Sequence, residues 1–282
     1  MLPEVAGRQL DSEFAMNATG SAAGRRRAGA AAGLDDAAFI RPIAHRGLHD
    51  SRNGRLENTA PAFEAAMAKG YGIECDLQAA EDGTPMVFHD ETLERLVGLP
   101  ARIATWSPES LGRLRYKGQD ERILKFAELL ELVDGRVPVL VEVKRNRRPP
   151  PAAFLPKIAR LAGAYRGPLA LMSFNREFVA AFVELAPGVP RGPVVGTHQL
   201  RPGWWMTPNR ELKIAAVDRL LGRAPAGVGF YAVDVKMLRA AWDWRERAAP
   251  HLPLFSWTIR TARERAAAAR WADAPIFEGY EA

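Results

Sequence analysis

Short apolar runs alternate with longer amphipathic stretches from about residue 39 to the end of the chain. The short runs are rich in β-branched residues and have the length of strands, whereas the stretches between them have the length and spacing of helices. This alternation is typical of βα units that build a parallel sheet. The runs predicted as strands are 41–45, 72–77, 138–143, 168–173, 192–196, 229–234, 253–259 and 275–279.

The stretches between these strands are predicted as helices. Asn58 is a suitable N-cap for the first of them, and Pro61 is tolerated in its opening turn. Eight strands, joined by helices, favour a closed TIM (β/α)8 barrel of the α/β class over an open sheet. The predicted helices are 59–69, 107–115, 125–134, 151–164, 176–186, 209–222, 236–248 and 261–271.

A ninth strand-like segment, residues 85–89, does not fit the βα pattern. About eight residues separate it from Leu77, whereas a parallel crossover needs about a dozen or more. Residues 81–84 between them have the composition of a turn. We therefore expect 78–90 to form a short hairpin-like excursion after strand two, which carries His89 back over the barrel mouth.

Residues 1–37 differ in composition from the rest of the chain. They are rich in Ala, Gly and polar residues, lack periodicity, and contain three consecutive arginines at 25–27. Their apolar stretches are too short for a secretory signal. A twin-arginine export signal and a functional translation start at Met16 are the alternatives. We therefore predict a disordered tail over 1–37, a single barrel domain over 38–282 and a cytoplasmic protein.

The composition excludes several other classes of protein. The chain has 282 residues, an ordinary length for one α/β barrel, and 48% hydrophobic residues, enough for a large core. Its single cysteine, Cys75, excludes an intramolecular disulfide, and no apolar run has the length of a membrane span. The net charge of +6 comes from basic residues spread among acidic ones. We therefore expect no nucleic-acid partner, and the charge suits small anionic substrates.

Two predicted strands carry charged residues inside otherwise apolar sequence. Alternate side chains of a strand share a face, so Glu74 and Asp76 point together into the barrel while Cys75 packs outward. By the same rule Glu142 and Lys144 share a face. Buried acids need partners, either in a structural ion pair or as ligands. Three carboxylates from two strands form an all-oxygen site suited to one divalent cation, Mg²⁺ or Ca²⁺.

His45 ends the first predicted strand and His89 ends the excursion, so both can reach the barrel mouth. Two histidines placed in this way suit the general acid and general base of phosphodiester cleavage. Arg46 and Lys144 could bind the phosphoryl oxygens. No Walker A, GxGxxG or GxSxG motif is present, which disfavours nucleotide binding and serine-hydrolase chemistry. The remaining histidines lie in loops without a charged companion and are predicted to lie outside the site: His49, His198 and His251.

The same residues resemble the motifs of the glycerophosphodiester phosphodiesterase family. The resembling pieces occur in the family's order across roughly residues 40–280, nearly the whole chain after the tail. Each piece alone is a weak signal, but their combination is specific. They are His45-Arg46-Gly47, Glu57-Asn58-Thr59, Ala62-Phe63, Gly72-Ile73-Glu74-Cys75-Asp76, Asp82-Gly83, Val87-Phe88-His89-Asp90, Glu142-Val143-Lys144, Ser173-Phe174 and Trp257-Thr258.

The resemblance implies a TIM-barrel hydrolase of lipid and glycerol metabolism that cleaves glycerophosphodiesters to an alcohol and sn-glycerol 3-phosphate. It also implies a role for each site residue. These roles are metal binding by Glu74, Asp76 and Glu142, general acid–base catalysis by His45 and His89, and phosphate binding by Arg46 and Lys144.

Two features depart from the family's pattern. The family's last strand commonly ends in Thr-Asp before a Pro, whereas residues 276–280 read Ile-Phe-Glu-Gly-Tyr here, so the closing edge of the site is not defined by the resemblance. The segment between His89 and Glu142 is too short for the capping subdomain of some relatives. We therefore expect an open mouth that accepts various leaving groups.

The sequence thus predicts an enzyme, a metal-dependent glycerophosphodiester phosphodiesterase whose partner is a small-molecule substrate. Its leaving group, its oligomeric state and which histidine is the acid stay open. One alternative on the same barrel is a lysophospholipase D-like enzyme, for which Trp204, Trp205 and Met206 could form an apolar groove. Further alternatives are a sugar-phosphodiester phosphodiesterase and a non-catalytic barrel that binds phosphorylated ligands.

Overall fold

The computed structural model describes residues 33–200, 206 and 208–282, in which parallel strands form a barrel surrounded by helices. The strands in chain order are β1 (Ile43–Ala44), β2 (Gly72–Ala79), β3 (Pro85–Val87), β4 (Leu124–Lys125), β5 (Val139–Val143), β6 (Leu169–Ser173), β7 (Arg191–Val195), β8 (Tyr231–Asp234), β9 (Leu254–Ile259) and β10 (Ala274–Phe277).

Eight of these described strands, all except β3 and β4, pair in parallel. The barrel is closed because β1 pairs with both β2 and β10. The predicted TIM barrel is therefore confirmed. Each predicted barrel strand begins and ends within two residues of an observed one.

Helices cover the outside of the barrel, and strand alternation creates two apolar layers. The outer layer lies between helices and strands and contains Cys75, as predicted. The inner layer fills the barrel with side chains such as Leu140, Phe230 and Ile276. No helix among the described residues is both long and apolar enough to cross a lipid bilayer. The helices are α1 (Asp36–Phe39), α2 (Ala60–Ala68), α3 (Pro108–Arg113), α4 (Phe126–Val133), α5 (Phe154–Ala164), α6 (Arg176–Leu185), α7 (Arg210–Leu221), α8 (Leu238–Ala248) and α9 (Ala262–Trp271).

Helix α1 lies at the bottom of the barrel, where the strands begin. The side chain of Asp35 accepts a hydrogen bond from the Ala38 N–H and caps the helix. Phe39 is 1% exposed and packs with Leu34 against the inner apolar layer. These side chains cover the end of the barrel, and α1 begins at Asp36, two residues before the predicted start of the barrel domain. Residues 1–32 of the predicted tail lie outside the described part of the chain.

The excursion after β2 has the predicted hairpin form. Strand β3 pairs antiparallel with β2, with Leu77 opposite Val87, and β4 pairs antiparallel with β3. The segment from 80 to 123 also forms a small apolar cluster beside the barrel, which includes Phe88 and Tyr116. Within the described residues, His89 is the one member of this segment that lines the cavity at the barrel mouth. The mouth is therefore not capped by the excursion.

Candidate active site

A cavity of about 290 Å³ lies at the carboxyl ends of the barrel strands. Strand pairing brings the polar residues of the sequence motifs to this place. Asp76 of β2 is opposite Glu142 of β5, and the β1 residue before His45 is opposite Ile73 of β2. Six of the seven predicted site residues line the cavity, and Asp76 is buried next to them. The six are His45, Arg46, Glu74, His89, Glu142 and Lys144.

The three predicted metal ligands form one buried cluster. One carboxylate oxygen each from Glu74, Asp76 and Glu142 lie within 4.8 Å of one another. Lys144 Nζ lies 2.8 Å from Asp76 Oδ1 and 2.6 Å from Glu142 Oε1. The side chains come together because alternate residues of β2 and β5 face the barrel interior.

Burial and mutual repulsion give these groups unequal proton affinities. Burial raises the pKa of Glu74, and the charges of Asp76 and Glu142 raise it further. Burial also favours the protonated form of Asp76, but Lys144 and Arg46 outweigh it and hold the pKa of Asp76 below its usual range. Burial acts against the Lys144 ammonium, but the two adjacent carboxylates keep its pKa above the usual range.

The carboxylate oxygens of the cluster are suitable ligands for a divalent cation. Glu74 Oε1 is buried and has no hydrogen-bond partner among the described residues, while Glu74 Oε2 accepts from the Arg46 N–H at 2.9 Å. A buried acceptor without a donor destabilises a protein unless another group satisfies it. Hard oxygen ligands are those that Mg²⁺ and Ca²⁺ prefer. Glu74, Asp76 and Glu142 could therefore hold such an ion.

Arg46 lies in the tight turn that follows β1. Its backbone is left-handed, with φ of 56°, and Gly47 follows with φ of 79°. A Cβ atom at Gly47 would lie 2.8 Å from the carbonyl carbon of Ala62, so glycine is required there. The turn places Arg46 Nε 3.2 Å from Asp76 Oδ2 and Nη1 2.8 Å from Glu57 Oε1.

Asn58 has a different role from the predicted one. Thr59, not Asn58, is the N-cap residue of α2. The Asn58 side chain is buried, donates to Asp76 Oδ2 at 2.9 Å and accepts from the Asp76 N–H at 3.3 Å. The predicted cap was wrong because a buried carboxylate in β2 takes the amide group as its own partner. Asn58 therefore fixes the orientation of Asp76.

His45 contacts an acid that follows the last barrel strand. Its Nδ1 lies 2.5 Å from Glu278 Oε2, and its Nε2 lies 3.9 Å from Glu74 Oε2 on the cavity side. Burial lowers the pKa of His45, although the hydrogen bond to Glu278 acts in the opposite direction. Glu278 belongs to the segment in which the sequence departs from the family's usual ending. A carboxylate therefore closes that edge of the site.

His89 has an equivalent partner in Asp90, whose Oδ1 lies 2.7 Å from His89 Nδ1. Arg95 Nε donates to Asp90 Oδ2 at 2.6 Å, and Arg95 Nη2 donates to Glu57 Oε1 at 2.7 Å. Burial alone would raise the pKa of Asp90, but its hydrogen bonds from His89 and Arg95 hold it below the usual range. Because Glu57 also binds Arg46, a continuous network joins His89 to the carboxylate cluster.

Gln78 ties the excursion to the barrel rim. It follows Glu74 and Asp76 on the same face of β2. Gln78 Nε2 donates to the His89 carbonyl oxygen at 2.8 Å, and its Oε1 accepts from Asn146 Nδ2 at 2.8 Å. These contacts explain why His89 lies over the mouth, although it is far from the other site residues in sequence.

The structure brings the seven predicted site residues together, and it adds four charged residues that the sequence reasoning gave no role. Asp90 and Glu278 carried a usable signal, because each is an acid just beyond an element that ends at the mouth. For Glu57 and Arg95 the sequence carried no signal of a role in the site, beyond the motif that contains Glu57. Their role depends on contacts between distant segments.

Two of the three histidines predicted to lie outside the site are near it. His49 Nε2 lies 3.6 Å from Glu278 Oε2, so it does have an acidic companion. The His198 ring packs against the cavity residues Phe174 and Trp257, at centroid distances of 4.8 and 6.5 Å. The apolar groove suggested for a lysophospholipase D-like enzyme includes Met206, which is 85% exposed. Its other two positions, 204 and 205, lie outside the described residues.

The sequence of the chain matches a model of the glycerophosphoryl diester phosphodiesterase family over residues 45–227. This match covers more than half of the chain and contains all seven predicted site residues. The chain belongs to this family. Glu278, which contacts His45, lies outside the matched residues.

Relatives with curated names agree with this assignment over shorter stretches. A glycerophosphodiester phosphodiesterase from Caldanaerobacter subterraneus is 38% identical over 102 residues, which cover 36% of this chain and 37% of the relative. A human lysophospholipase D is 29% identical over 136 residues, which cover 44% of this chain and 41% of the relative. The chain therefore spans less than half of the length of these curated relatives.

The fold is similar to that of solved members of the family. An Oleispira antarctica phosphodiesterase, solved in complex with the product sn-glycerol-3-phosphate, superposes with a TM-score of 0.63 at 19% sequence identity. The superposition covers 84% of this chain and 92% of that one. A similarity at this level of identity demonstrates the shared barrel.

Proposed function

We propose that this member of the glycerophosphoryl diester phosphodiesterase family hydrolyses glycerophosphodiesters to an alcohol and sn-glycerol 3-phosphate, with the help of one divalent cation. The observation that carries the proposal is the pair of histidines at one cavity, His45 and His89, each with a carboxylate on Nδ1. A partner on one ring nitrogen leaves the other nitrogen for proton transfer. Two such groups supply both proton transfers that phosphodiester cleavage requires.

In the proposed reaction one histidine takes the proton of the attacking hydroxyl, which is water or the glycerol hydroxyl next to the phosphate. When the glycerol hydroxyl attacks, the first product is a cyclic phosphodiester of glycerol, and water opens it to sn-glycerol 3-phosphate in a second displacement. The other histidine gives a proton to the oxygen of the leaving alcohol. Arg46 and Lys144 bind the non-bridging phosphoryl oxygens. Arg46 uses Nε and Nη1 in its contacts with the carboxylates of Asp76 and Glu57, so within the described part of the chain Nη2 is the nitrogen left for a phosphoryl oxygen.

Glu74, Asp76 and Glu142 would hold the cation, and Mg²⁺ is our first choice with Ca²⁺ as the second. When bound, such an ion stabilises the negative charge that develops on the phosphoryl group. Lys144 lies between Asp76 and Glu142 and compensates both carboxylates, and Arg46 also contacts Asp76. Its ammonium also remains close enough to the cavity to contact a phosphate there.

The walls of the cavity suit a small glycerol unit. Phe174 and Trp257 meet edge to face with ring centroids 5.4 Å apart, and both line the cavity. Their faces can cover the carbon chain of a glycerol moiety. A volume of about 290 Å³ is at the low end for a ligand pocket. The leaving alcohol therefore extends out of the mouth.

A turnover assay with glycerophosphocholine tests the proposal. We expect release of sn-glycerol 3-phosphate and choline, loss of turnover after dialysis against a chelator, and recovery on addition of Mg²⁺ or Ca²⁺. Full turnover by a verified metal-free sample would contradict the metal dependence. Absence of turnover on a panel of glycerophosphodiesters in the presence of both metals would contradict the proposed reaction.

A lysophospholipase D-like activity is the second candidate, favoured by the similarity to the human lysophospholipase D. The chemistry would be unchanged, and the acyl chain would have to leave the cavity through the mouth. The ratio of kcat/KM for lysophosphatidylcholine to that for glycerophosphocholine separates the two candidates. A ratio well below one supports the first, and a ratio well above one supports the second.

A further inference from the structure

Three neighbouring strand ends place a row of charged side chains on one side of the mouth. Strands β1, β10 and β9 are adjacent in the barrel, and their last residues are paired, Ala44 with Phe277 and, after a shift in register, Phe277 with Ile259. The first residues beyond these strands are His45, Glu278 and Arg260. The His45 N–H donates to the carbonyl oxygen of Phe277 at 2.9 Å, which fixes the relative position of the first two.

The contact between His45 and Glu278 determines which ring nitrogen carries the proton. Burial alone would raise the pKa of Glu278, but hydrogen bonds from His45 and Arg260 hold it below the usual range. The carboxylate is therefore ionised at neutral pH and can only accept a hydrogen bond. At 2.5 Å from this acceptor, His45 Nδ1 is the donor. The lone pair of the neutral ring then lies on Nε2, the nitrogen nearer to Glu74.

Glu278 is itself held in place from several sides. Arg260 Nε donates to Glu278 Oε1 at 2.6 Å, and the Glu278 N–H donates to the carbonyl oxygen of Ile259 at 3.1 Å. His49 Nε2 lies 3.6 Å from Glu278 Oε2, the same oxygen that contacts His45. With these neighbours the carboxylate has little freedom to turn away from the His45 ring.

We propose that Glu278 is the positioning residue of His45: it fixes the Nδ1–H tautomer and directs Nε2 at the substrate phosphate, a role that rests on the proposed function. Glu278 does not touch the reacting group, so its effect passes through the imidazole. It lies beyond residues 45–227, which match the family model, and in the segment that departs from the family's usual ending. Glu278 therefore has a role in the part of the sequence that the resemblance left undefined.

The test uses the full chain and three variants. Glu278→Gln keeps the size of the side chain, but its amide can donate to Nδ1 and so permits the opposite tautomer. Glu278→Asp keeps the acceptor charge at shorter reach. Glu281→Gln is the matched control, because Glu281 is an exposed acid, 65% accessible, that pairs with Lys69 instead of a site residue. Because Glu278 lies at the barrel rim and is itself 19% exposed, we expect all three variants to fold.

Two measurements, kcat and the His45 tautomer, test the positioning role of Glu278. For Glu278→Gln we expect kcat to fall about tenfold to a hundredfold, by analogy with the loss of a residue that orients a metal-bound histidine, with little change in KM. Glu278→Asp should lose less, and Glu281→Gln should match the wild type. Nitrogen-15 spectra of histidine-labelled protein should place the His45 proton on Nδ1 in the wild type and partly on Nε2 in Glu278→Gln. A His45→Gln sample identifies the signals.

The inference is overturned if the His45 tautomer is the same in Glu278→Gln as in the wild type, or if kcat of that variant equals that of Glu281→Gln. A wild-type protein without phosphodiesterase activity would instead contradict the proposed function. In that case the tautomer spectra, which need no turnover, still decide whether Glu278 controls the His45 ring.

Discussion

Replacement of Lys144 by methionine should destabilise the metal-free protein strongly and the metal-loaded protein much less. Lys144 Nζ lies 2.8 Å from Asp76 Oδ1 and 2.6 Å from Glu142 Oε1, and its side chain is 15% exposed. Methionine has a similar shape but no charge. Lys144→Met therefore leaves two buried carboxylates without the cation between them.

The magnitude follows from these distances. At an effective dielectric constant of about 20, one ion pair of this length is worth about 6 kcal/mol before desolvation. After desolvation, removing one partner of a buried pair costs about 3–5 kcal/mol. For a domain of this size that corresponds to a decrease in Tm of about 6–20 °C. A divalent cation at about a hundred times its Kd returns about 2.7 kcal/mol, because it binds only the folded protein.

Thermal unfolding in chelator and in Mg²⁺ measures both effects. Lys157→Met is the matched control, because Lys157 makes a 2.8 Å pair with Asp82 in which the two side chains are 32% and 46% exposed. The loss of such a surface pair costs no more than about 1 kcal/mol. We expect Mg²⁺ to raise the Tm of Lys144→Met more than that of the wild type. Equal Tm values for the two variants in chelator would refute the electrostatic reasoning.

Three further substitutions, the last with a matched control, test the metal site, the lower end of the barrel and the turn after β1. Glu74→Gln should fold but lose the Mg²⁺-dependent increase in Tm, and an undiminished increase would remove Glu74 from the metal site. Phe39→Ala, at a side chain 1% exposed, should lower the free energy of unfolding in urea by about 3–5 kcal/mol; a loss below about 1 kcal/mol would show that α1 is dispensable. Gly47→Ala should lower both Tm and kcat, because the added Cβ would lie 2.8 Å from the carbonyl carbon of Ala62. Gly70→Ala is the control, because Gly70 has a φ of 70° but open space around it, and this variant should lower Tm alone. Equal decreases in kcat for the Gly47 and Gly70 variants would contradict the claim that the tight turn after β1 positions the active site.

The barrel and the carboxylate cluster could be predicted because they depend on local periodicity. Alternation within two strands puts Glu74, Asp76 and Glu142 on the inner face, and parallel pairing makes β2 and β5 neighbours. The excursion was predictable for a related reason, since too few residues separate Leu77 from β3 for a parallel crossover.

The partners of these residues could not be predicted, because they come from segments far apart in the chain. Glu278 meets His45 across 233 positions, and only the closure of the barrel makes β1 and β10 adjacent. Arg95 reaches Glu57 through the folding of the excursion. Asn58 shows the limit of a local rule, because its amide satisfies a buried acid instead of the helix terminus that it precedes.

The most direct test of the central claim is the rate of the single variants His45→Ala and His89→Ala on two substrates. On glycerophosphocholine, which has a poor leaving group, each variant should lose about a hundredfold to ten-thousandfold in kcat, with stability within about 1 kcal/mol of the wild type. On a p-nitrophenyl phosphodiester, whose leaving group needs no proton, only the variant that lacks the general acid should recover. Near wild-type turnover of glycerophosphocholine by His89→Ala would contradict the two-histidine mechanism.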